Sequence, residues 1–317
     1  MNSMTAEIAK TTLRNSEEPS LFATTPIPKF VTLDAWQRLT PAEQMALLIG
    51  GGKGGFNRQT NRDIEWADQS WNPVTGCLHD CPYCYARDIA VDVYPEEVGF
   101  SPTLWLERLA APAHHGVPQD ADQKPSRKNV FVCSMADLFG RWVPDEWIEA
   151  VLATARKNQQ WNFLFLTKFP RRMSEFAIPG NAWMGTTVDL QARVANAERA
   201  FENMPEGIIR WLSLEPMLEP LKFKRLELFD WVVIGGASPS KATDGSQATP
   251  AWNPPIDWLV DVHRQARSAG CKIYYKTNCG LSDMTRIREF PGTADKAPVA
   301  PEVFDYLGGM PKREQLG

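Results

Sequence analysis

The stretch Asn162-Phe163-Leu164-Phe165-Leu166-Thr167 is a short, mostly apolar run in which apolar and polar residues do not alternate. A strand that is buried on both faces has this pattern, and such strands are typical of parallel sheets. Five further runs of this kind follow between residues 129 and 276: Asn129–Cys133, Ala182–Val188, Ile209–Glu215, Asp230–Gly236 and Cys271–Lys276. The repeated pattern predicts a parallel sheet.

Helical patterns separate most of these runs, at Pro144–Lys157, Pro170–Phe176, Leu190–Met204 and Pro255–Ala269. A further strand and turn are expected over residues 64–76, which gives about seven β/α units. The predicted class is therefore α/β, as a partial or full (β/α) barrel with parallel strands and outer helices. A Rossmann-type sheet is the alternative, although no G-x-G-x-x-G motif opens a helix here.

Outside the alternating region the chain is more polar, and three segments are expected. Residues 1–59 form an N-terminal extension with a mobile tail, a helix over Ala42–Ile49 and a Gly-rich linker. The helix follows Thr40-Pro41-Ala42-Glu43, which has the pattern of a capping box. Residues 60–280 form the barrel, with a loop-rich insertion at 95–128 that carries a helix near Thr103–Leu109, and 281–317 form a C-terminal tail.

Composition narrows the class of protein. The chain has 317 residues, 43% of them hydrophobic, with 12 Trp and 15 Phe, which indicates a globular protein. No apolar run approaches the ~20 residues that span a bilayer, and no signal peptide is apparent. The net charge of −4 gives no global indication of nucleic-acid binding, although basic clusters occur at Lys124/Arg127/Lys128, Lys168/Arg171/Arg172 and Lys222/Lys224/Arg225.

The segment Cys77-Leu78-His79-Asp80-Cys81-Pro82-Tyr83-Cys84 places three cysteines at C-x3-C-x2-C spacing, before a helix expected over Tyr85–Val93. Thiolates select zinc, copper(I) or iron–sulfur centres. A structural zinc site takes four ligands, and His79 could be the fourth, whereas a [4Fe–4S] cluster on three cysteines leaves one iron open. Buried thiols without a ligand role are the third interpretation. Spacing and context favour the cluster. Three of the six cysteines share this motif, so no disulfide framework is expected. The expected compartment is a reducing cytoplasm.

Polar residues follow the predicted strands, where active sites form in parallel α/β folds. Because a buried charge needs a partner, Asp137, Lys168, Glu215 and Lys276 are expected around one cavity. Gly235-Gly236 would allow close approach of a ligand, or form an ordinary turn. For Cys279, hydrogen-atom donation and a structural role both stay open, and base rates of burial favour the structural role. Cys133 and Cys271 are expected in the core. Trp71 is also expected in the core, although it could instead stack on a nucleic-acid base.

Four stretches together carry a resemblance to a known family: residues 64–77, Ser134–Phe139, residues 166–173 and Trp211–Pro216. Residues 231–236 and Tyr275-Lys276 extend it. The chain resembles the phage-type three-Cys-motif family of radical S-adenosylmethionine (SAM) proteins, which is distantly similar to spore photoproduct lyase. Two departures stand out: Ala237 replaces the glutamate of the family's Gly-Gly-Glu-Ser, and Thr277-Asn278-Cys279-Gly280 replaces Gln-Trp-Gly. The substrate chemistry could differ accordingly.

The resemblance implies a set of roles. A [4Fe–4S] cluster would be held by Cys77, Cys81 and Cys84, and SAM on the open iron would be cleaved to methionine and a 5′-deoxyadenosyl radical that abstracts hydrogen from the substrate. Tyr83 would lie against the adenine. The other expected SAM contacts are Ser134, Asp137, Gly235 and Gly236, and the residues expected on the substrate side are Lys168, Glu215, Lys276 and Cys279.

The substrate implied by the phage association is a nucleic-acid base. The favoured reaction is isomerisation of a substituent on a modified thymidine in phage DNA, in the host cytoplasm if the protein is phage-encoded. Expected partners are DNA or a modified nucleotide and a flavodoxin- or ferredoxin-like electron donor, with no membrane. The alternatives are a base-lesion repair lyase, a radical SAM enzyme for a peptide or small molecule, and a non-enzymatic zinc-stabilised nucleic-acid-binding module with His79 as the fourth ligand.

Overall fold

The computed structural model describes residues 28–49, 52, 54–59, 64–241, 248–282 and 286–292. The predicted tails, residues 1–30 and 281–317, lie mostly outside this part of the chain. Within the predicted Gly-rich linker, Gly54 donates its N–H to the carbonyl of Glu107 at 2.7 Å. This part of the linker is therefore packed on the insertion that follows the cysteine segment.

The chain is a mixed α/β protein with one large sheet and one small one. The strands are β1 (Val31–Thr32), β2 (Asn57–Arg58), β3 (Gln69–Trp71), β4 (Val74–Thr75), β5 (Thr103–Leu104), β6 (Asn129–Val132), β7 (Asn162–Thr167), β8 (Ala182–Thr187), β9 (Ile209–Leu214), β10 (Trp231–Ile234) and β11 (Lys272–Tyr275). The large sheet has eight strands in the order β11-β10-β9-β8-β7-β6-β3-β2, and β1-β5-β4 form an antiparallel sheet of three.

The seven strands from β3 to β11 of the large sheet are all parallel, and β2 alone is antiparallel. The prediction of a parallel sheet is confirmed, with the six predicted strands within two residues of their observed bounds. The strands follow one another in chain order without the reversal that defines a Rossmann sheet, so the alternative prediction is not supported.

The α-helices are α1 (Leu33–Gln37), α2 (Pro41–Ile49), α3 (Tyr85–Val93), α4 (Asp145–Lys157), α5 (Pro170–Met173), α6 (Gln191–Phe201) and α7 (Ile256–Ser268). The capping box before α2 is confirmed, since the Thr40 backbone N–H donates to Glu43 Oε2 at 2.7 Å. The longer helices cover one face of the sheet. In α4 the buried residues recur at helical spacing: Trp147, Ile148, Val151, Leu152 and Ala155.

The opposite, inner face of the sheet carries a separate core of aromatic side chains. Its buried members are Trp66, Ala67, Phe131, Leu164, Trp183, Trp211, Trp231, Val233 and Tyr274. The Trp66 ring lies 4.8 Å from the ring of Phe131 on β6 and 5.2 Å from that of Trp211 on β9. Because one indole reaches strands that are three positions apart, the sheet curves around it.

Glu65, which lies between β2 and β3 in the chain, connects that side of the sheet to β11 and the residues after it. Its carboxylate accepts from the Thr277 backbone N–H at 2.7 Å and pairs with Arg288, and its carbonyl accepts from the Tyr274 hydroxyl at 3.0 Å. Among the residues described, no strand pairing links β11 to β2 or β3. The full, hydrogen-bonded barrel included in the sequence prediction is therefore not observed.

One predicted helix is wrong. Residues near Thr103–Leu109 form the short strand β5 and a single 3-10 turn, Leu106–Arg108. Thr103 and Leu104 pair with β1 and β4, and these pairings outweigh local helical preference. Trp71 is fully buried and donates its indole N–H to Arg108 O at 2.7 Å, which confirms its core position. No helix in the described ranges is long and apolar enough to cross a membrane.

Candidate functional site

A cavity of about 430 Å³ opens at the carboxyl ends of the parallel strands. Its walls come from the cysteine segment, α3 and residues that follow β6, β7, β9, β10 and β11. The predicted site residues that line it are Cys77, Cys81, Tyr83, Cys84, Ser134, Asp137, Lys168, Glu215, Gly236 and Lys276. The structure therefore brings together ten of the twelve residues singled out from sequence.

The cysteine segment starts from a fixed point beside β6. The Gly76 N–H donates to Met135 O at 2.9 Å, and Gly76 has φ +82°. A Cβ on Gly76 would lie 2.2 Å from the carbonyl oxygen of Ser101, so only glycine fits here. Cys77 thus enters the cavity at the end of the sheet, and Cys84 ends the segment as the N-cap of α3.

The thiols influence one another electrostatically. Burial raises the pKa of Cys77 to about 12, the His79 backbone N–H opposes this, and Asp137, Cys84 and Cys81 raise the pKa further. Burial also raises the pKa of Cys84, opposed by the backbone N–H groups of Arg87 and Ala86 at the start of α3. These thiols are protonated at neutral pH unless a cation stabilises the thiolates.

The three cysteines are a chemically suitable ligand set for an iron–sulfur cluster because they are soft donors on one cavity wall, with backbone N–H groups directed at two of the sulfurs. In the arrangement described, however, no group of three or more His, Cys, Asp or Glu side chains is placed to hold a metal ion. The ligand role of Cys77, Cys81 and Cys84 accordingly stays a prediction.

His79 is engaged in other interactions. Its Nε2 lies 2.7 Å from Asp137 Oδ2, and its ring stacks on Phe169 at 4.8 Å between centroids. Asp137 also accepts from the backbone N–H groups of Lys168, at 2.9 Å, and Phe139, at 3.1 Å. Asp137 was expected to contact SAM; in the structure its carboxylate joins the cysteine segment to the loops after β6 and β7.

Tyr83 makes a second connection between the cysteine segment and the sheet. Its hydroxyl donates to Asp189, which follows β8, and Asp189 Oδ1 lies 2.5 Å from Nε of Arg193 in α6. Burial, and then the Asp189 charge, raise the pKa of Tyr83 far above its usual value, so the phenol stays protonated. The Lys168 ammonium lies 5.6 Å from the centre of the Tyr83 ring.

On the opposite wall Glu215 and Lys276 form an ion pair, with Glu215 Oε1 3.3 Å from Lys276 Nζ. The side chains are 14% and 13% exposed. Ser213 donates its hydroxyl to Glu215 Oε2 at 3.2 Å, whereas Oε1 accepts no well-aligned hydrogen bond from the described residues. The pair therefore places a cationic donor and a carboxylate, with one oxygen buried, at the ends of β11 and β9.

The predicted glycine pair is packed by protein atoms. A Cβ on Gly236 would lie 2.0 Å from Trp252 O, and the Gly236 N–H donates to Asn278 Oδ1 at 3.0 Å. A Cβ on Gly235 would lie 3.0 Å from Asn278 Oδ1 and from Glu215 Oε1, and Gly235 does not line the cavity. Close approach is thus observed, but to this chain's own residues.

Three cysteines outside the motif are buried. The Cys279 thiol donates to Ile234 O at 3.0 Å and does not line the cavity. Cys271 donates to Phe229 O at 3.1 Å in the outer core, and Cys133 is buried beside the cavity with φ +57°. Burial raises the pKa of each to about 12. The core positions predicted for Cys133 and Cys271 are confirmed.

Comparison with known proteins gives a family without an assigned activity. A family model described as a protein of unknown function (DUF5131) matches residues 61–296, which is most of the chain. The chain belongs to this family. A search of curated proteins and a search of solved structures returned no match. The match includes both the cysteine segment and every strand from β3 to β11.

Proposed function

We propose that this DUF5131 protein is a radical SAM enzyme with a partial (β/α) barrel. The supporting observation is that the cysteines of a C-x3-C-x2-C segment line one cavity at the carboxyl ends of a curved sheet whose parallel strands follow chain order. Such strand ends are where α/β folds place reactive groups. Cys77, Cys81 and Cys84 would hold a [4Fe–4S] cluster, which, with SAM, supplies an electron and a carbon radical able to abstract hydrogen.

The residues around the cysteines position that segment. Asp137 fastens it through His79, and Asp189 fastens it through Tyr83. Both connections are part-buried side-chain hydrogen bonds to a carboxylate, which are stronger than neutral ones. They fix the segment against the ends of β6, β7 and β8, so that a reactive centre would be held at a constant distance from the opposite wall.

Glu215 and Lys276 are proposed to orient the substrate or the SAM amino acid group. Glu215 Oε1 has its ion-pair contact with Lys276 but no well-aligned hydrogen bond among the residues described. Oε1 is buried, so a ligand ammonium or hydroxyl would donate to it once the Glu215 carboxylate turns toward the cavity that this residue lines. Lys276 at the same time offers a charged donor to a carboxylate or a carbonyl.

The proposed substrate is a nucleic-acid base, with isomerisation of a thymidine substituent as the favoured reaction and a small flavodoxin- or ferredoxin-like protein as electron donor. A reducing cytoplasm suits such a centre. The cavity of about 430 Å³ falls within the 300–1,000 Å³ usual for small-molecule sites. His79 already contacts Asp137 and Phe169, which weighs against a Cys3His zinc module.

The test is anaerobic reconstitution with iron and sulfide, followed by SAM and reductant, with 5′-deoxyadenosine measured by mass spectrometry. We expect about four iron and four sulfide per chain and 5′-deoxyadenosine formation that is lost in Cys81→Ala. Cys271→Ala, which removes a buried thiol outside the cavity, should retain both. A colourless, zinc-loaded protein that leaves SAM intact would contradict the proposal.

A further inference from the structure

In two of the three basic clusters in the sequence, two of the three cations have carboxylate partners in the structure. Lys222 Nζ lies 2.6 Å from Asp261, and Arg225 pairs with Glu202 and Glu227 at 2.8 and 2.6 Å. In the cluster near residue 124, Lys124 and Arg127 lie 3.4 and 3.1 Å from Asp120. Cations that already have carboxylate partners contribute little field to attract another anion.

The third cluster differs. Arg172 pairs with Asp145 at 2.5 Å, but Lys168 and Arg171 have no carboxylate within ion-pair distance among the described residues. Arg141 joins them: its guanidinium lies over the Phe169 ring at 4.7 Å and is likewise without a carboxylate partner in that part of the chain. Arg141, Lys168 and Arg171 are named here the basic rim.

The basic rim lies at the cavity, next to the cysteine segment. Lys168 lines the cavity, and Phe169, beneath Arg141, stacks on His79. Arg141 and Arg171 are exposed. The cavity wall formed by α3 has the opposite character, since Asp88 and Asp92 line it and bind the backbone N–H and the ammonium of Lys241.

We propose that the basic rim binds the phosphodiester backbone of a nucleic-acid strand whose base enters the cavity. The proposal rests on the proposed function for the role of the cavity, but its evidence is the charge distribution. Two arginines provide planar guanidinium groups that match phosphate oxygens. Because the net charge is −4, a polyanion is repelled by the molecule as a whole and is attracted only where cations lack partners.

A membrane surface fits this region less well. The large exposed apolar residues beside the cavity are Leu78 in the cysteine segment and Tyr85, Ile89, Val91 and Val93 on α3. Binding to an anionic bilayer needs apolar and basic groups on one face. Here the apolar residues lie on α3 and in the cysteine segment, whereas the basic rim lies on the residues that follow β6 and β7.

The test measures the affinity of the reconstituted protein for fluorescein-labelled 20-nucleotide single-stranded DNA and the corresponding duplex between 50 and 200 mM KCl. Each phosphate contact contributes about 0.7 (single strand) to 0.9 (duplex) to the slope of log affinity against log salt. We expect Arg141→Gln/Arg171→Gln to flatten this slope by about 1.4 (single strand) to 1.8 (duplex) and to weaken binding about tenfold at 50 mM KCl. Lys222→Gln/Arg225→Gln removes the same charge from paired sites and should leave the slope within about 0.3 of the native protein.

Equal slopes for the two double variants would overturn the proposal, as would binding to phosphatidylserine vesicles with no binding to either DNA. Arg141→Lys, which retains the charge, should restore the slope lost in Arg141→Gln and excludes a folding defect as the cause. Failure of the proposed function is distinguishable. If SAM is not cleaved but the slopes differ, the basic rim stands alone; if SAM is cleaved and the slopes are equal, only the basic rim is refuted.

Discussion

The two walls of the cavity are built in different ways. The cysteine wall is a segment without regular structure, fastened to the sheet by the side-chain pairs His79–Asp137 and Tyr83–Asp189. The opposite wall consists of residues that directly follow strands, among them Glu215 after β9 and Lys276 after β11. A segment held by a few hydrogen bonds opens locally more easily than one held by a strand ladder. Substitutions on the cysteine wall should therefore alter the geometry of that wall. Substitutions on the strand wall should alter only the chemistry of the groups that it presents to the cavity.

The largest effect is expected in the aromatic core beneath both walls. Trp66→Ala removes a fully buried indole that contacts Phe131 and Trp211, and a substitution of this size costs about 3–5 kcal/mol. Urea unfolding followed by circular dichroism would measure the loss. Leu78→Ala, at a side chain that is 56% exposed, is the control and should cost less than about 0.5 kcal/mol.

Asp137→Ala should detach the cysteine wall from the loops that follow β6 and β7. It leaves the His79 ring and the Lys168 and Phe139 N–H groups without their acceptor, at a cost of about 3 kcal/mol in unfolding free energy. We expect iron content after reconstitution to fall by at least half. Full iron loading and unchanged stability would show that the wall is held in some other way.

Tyr83→Phe isolates the second connection, because it removes only the hydroxyl that donates to Asp189. We expect a loss of about 1–2 kcal/mol in unfolding free energy and a changed electron paramagnetic resonance signal of the reduced centre. Tyr94→Phe, at another part-buried tyrosine, is the matched control and should keep the native spectrum. An unaltered spectrum in Tyr83→Phe would show that the Tyr83 hydroxyl does not position the cysteine wall.

Glu215→Gln tests whether the strand wall affects only the chemistry of the cavity. The substitution preserves shape but removes the charge that faces Lys276, so we expect iron content to stay native while 5′-deoxyadenosine formation falls about 100-fold. Glu146→Gln, at an exposed carboxylate in the first turn of α4, serves as control. Loss of iron in Glu215→Gln would mean that the two walls are not independent.

The smallest effect concerns pH. Burial raises the pKa of Cys271 to about 12 from the model-compound value of 9.0, so above pH 9 the folded thiol holds a proton that the unfolded one has lost. Its contribution to stability is complete below pH 9 and declines between about pH 9 and 12. From pH 8 to about 9.7 we expect the native protein to lose about 1 kcal/mol more than Cys271→Ala, by urea unfolding. Parallel pH profiles would contradict this.

Sequence predicted the strands well because each is an apolar run long enough to be recognised locally. It failed at residues 103–109, where Thr103 and Leu104 pair with β1 and β4, two strands that lie about 30 to 70 residues earlier in the chain. Most of the site residues singled out from sequence do line the cavity, since parallel strands end at one edge. The partners Asp189 and Asn278 were missed as functional residues because their contacts, with Tyr83 and Gly236, join segments 106 and 42 residues apart.

The contact between Glu65 and Thr277 can form only late in the synthesis of the chain. Glu65 is made 212 residues before its hydrogen-bond donor Thr277, which at 5–20 residues per second is roughly 10 to 40 s. Over that interval the tryptophans of the inner face have no last strand against which to pack. A nascent chain of this protein thus carries an exposed aromatic surface until its final β/α unit is complete, and it is then that a chaperone would bind it most strongly.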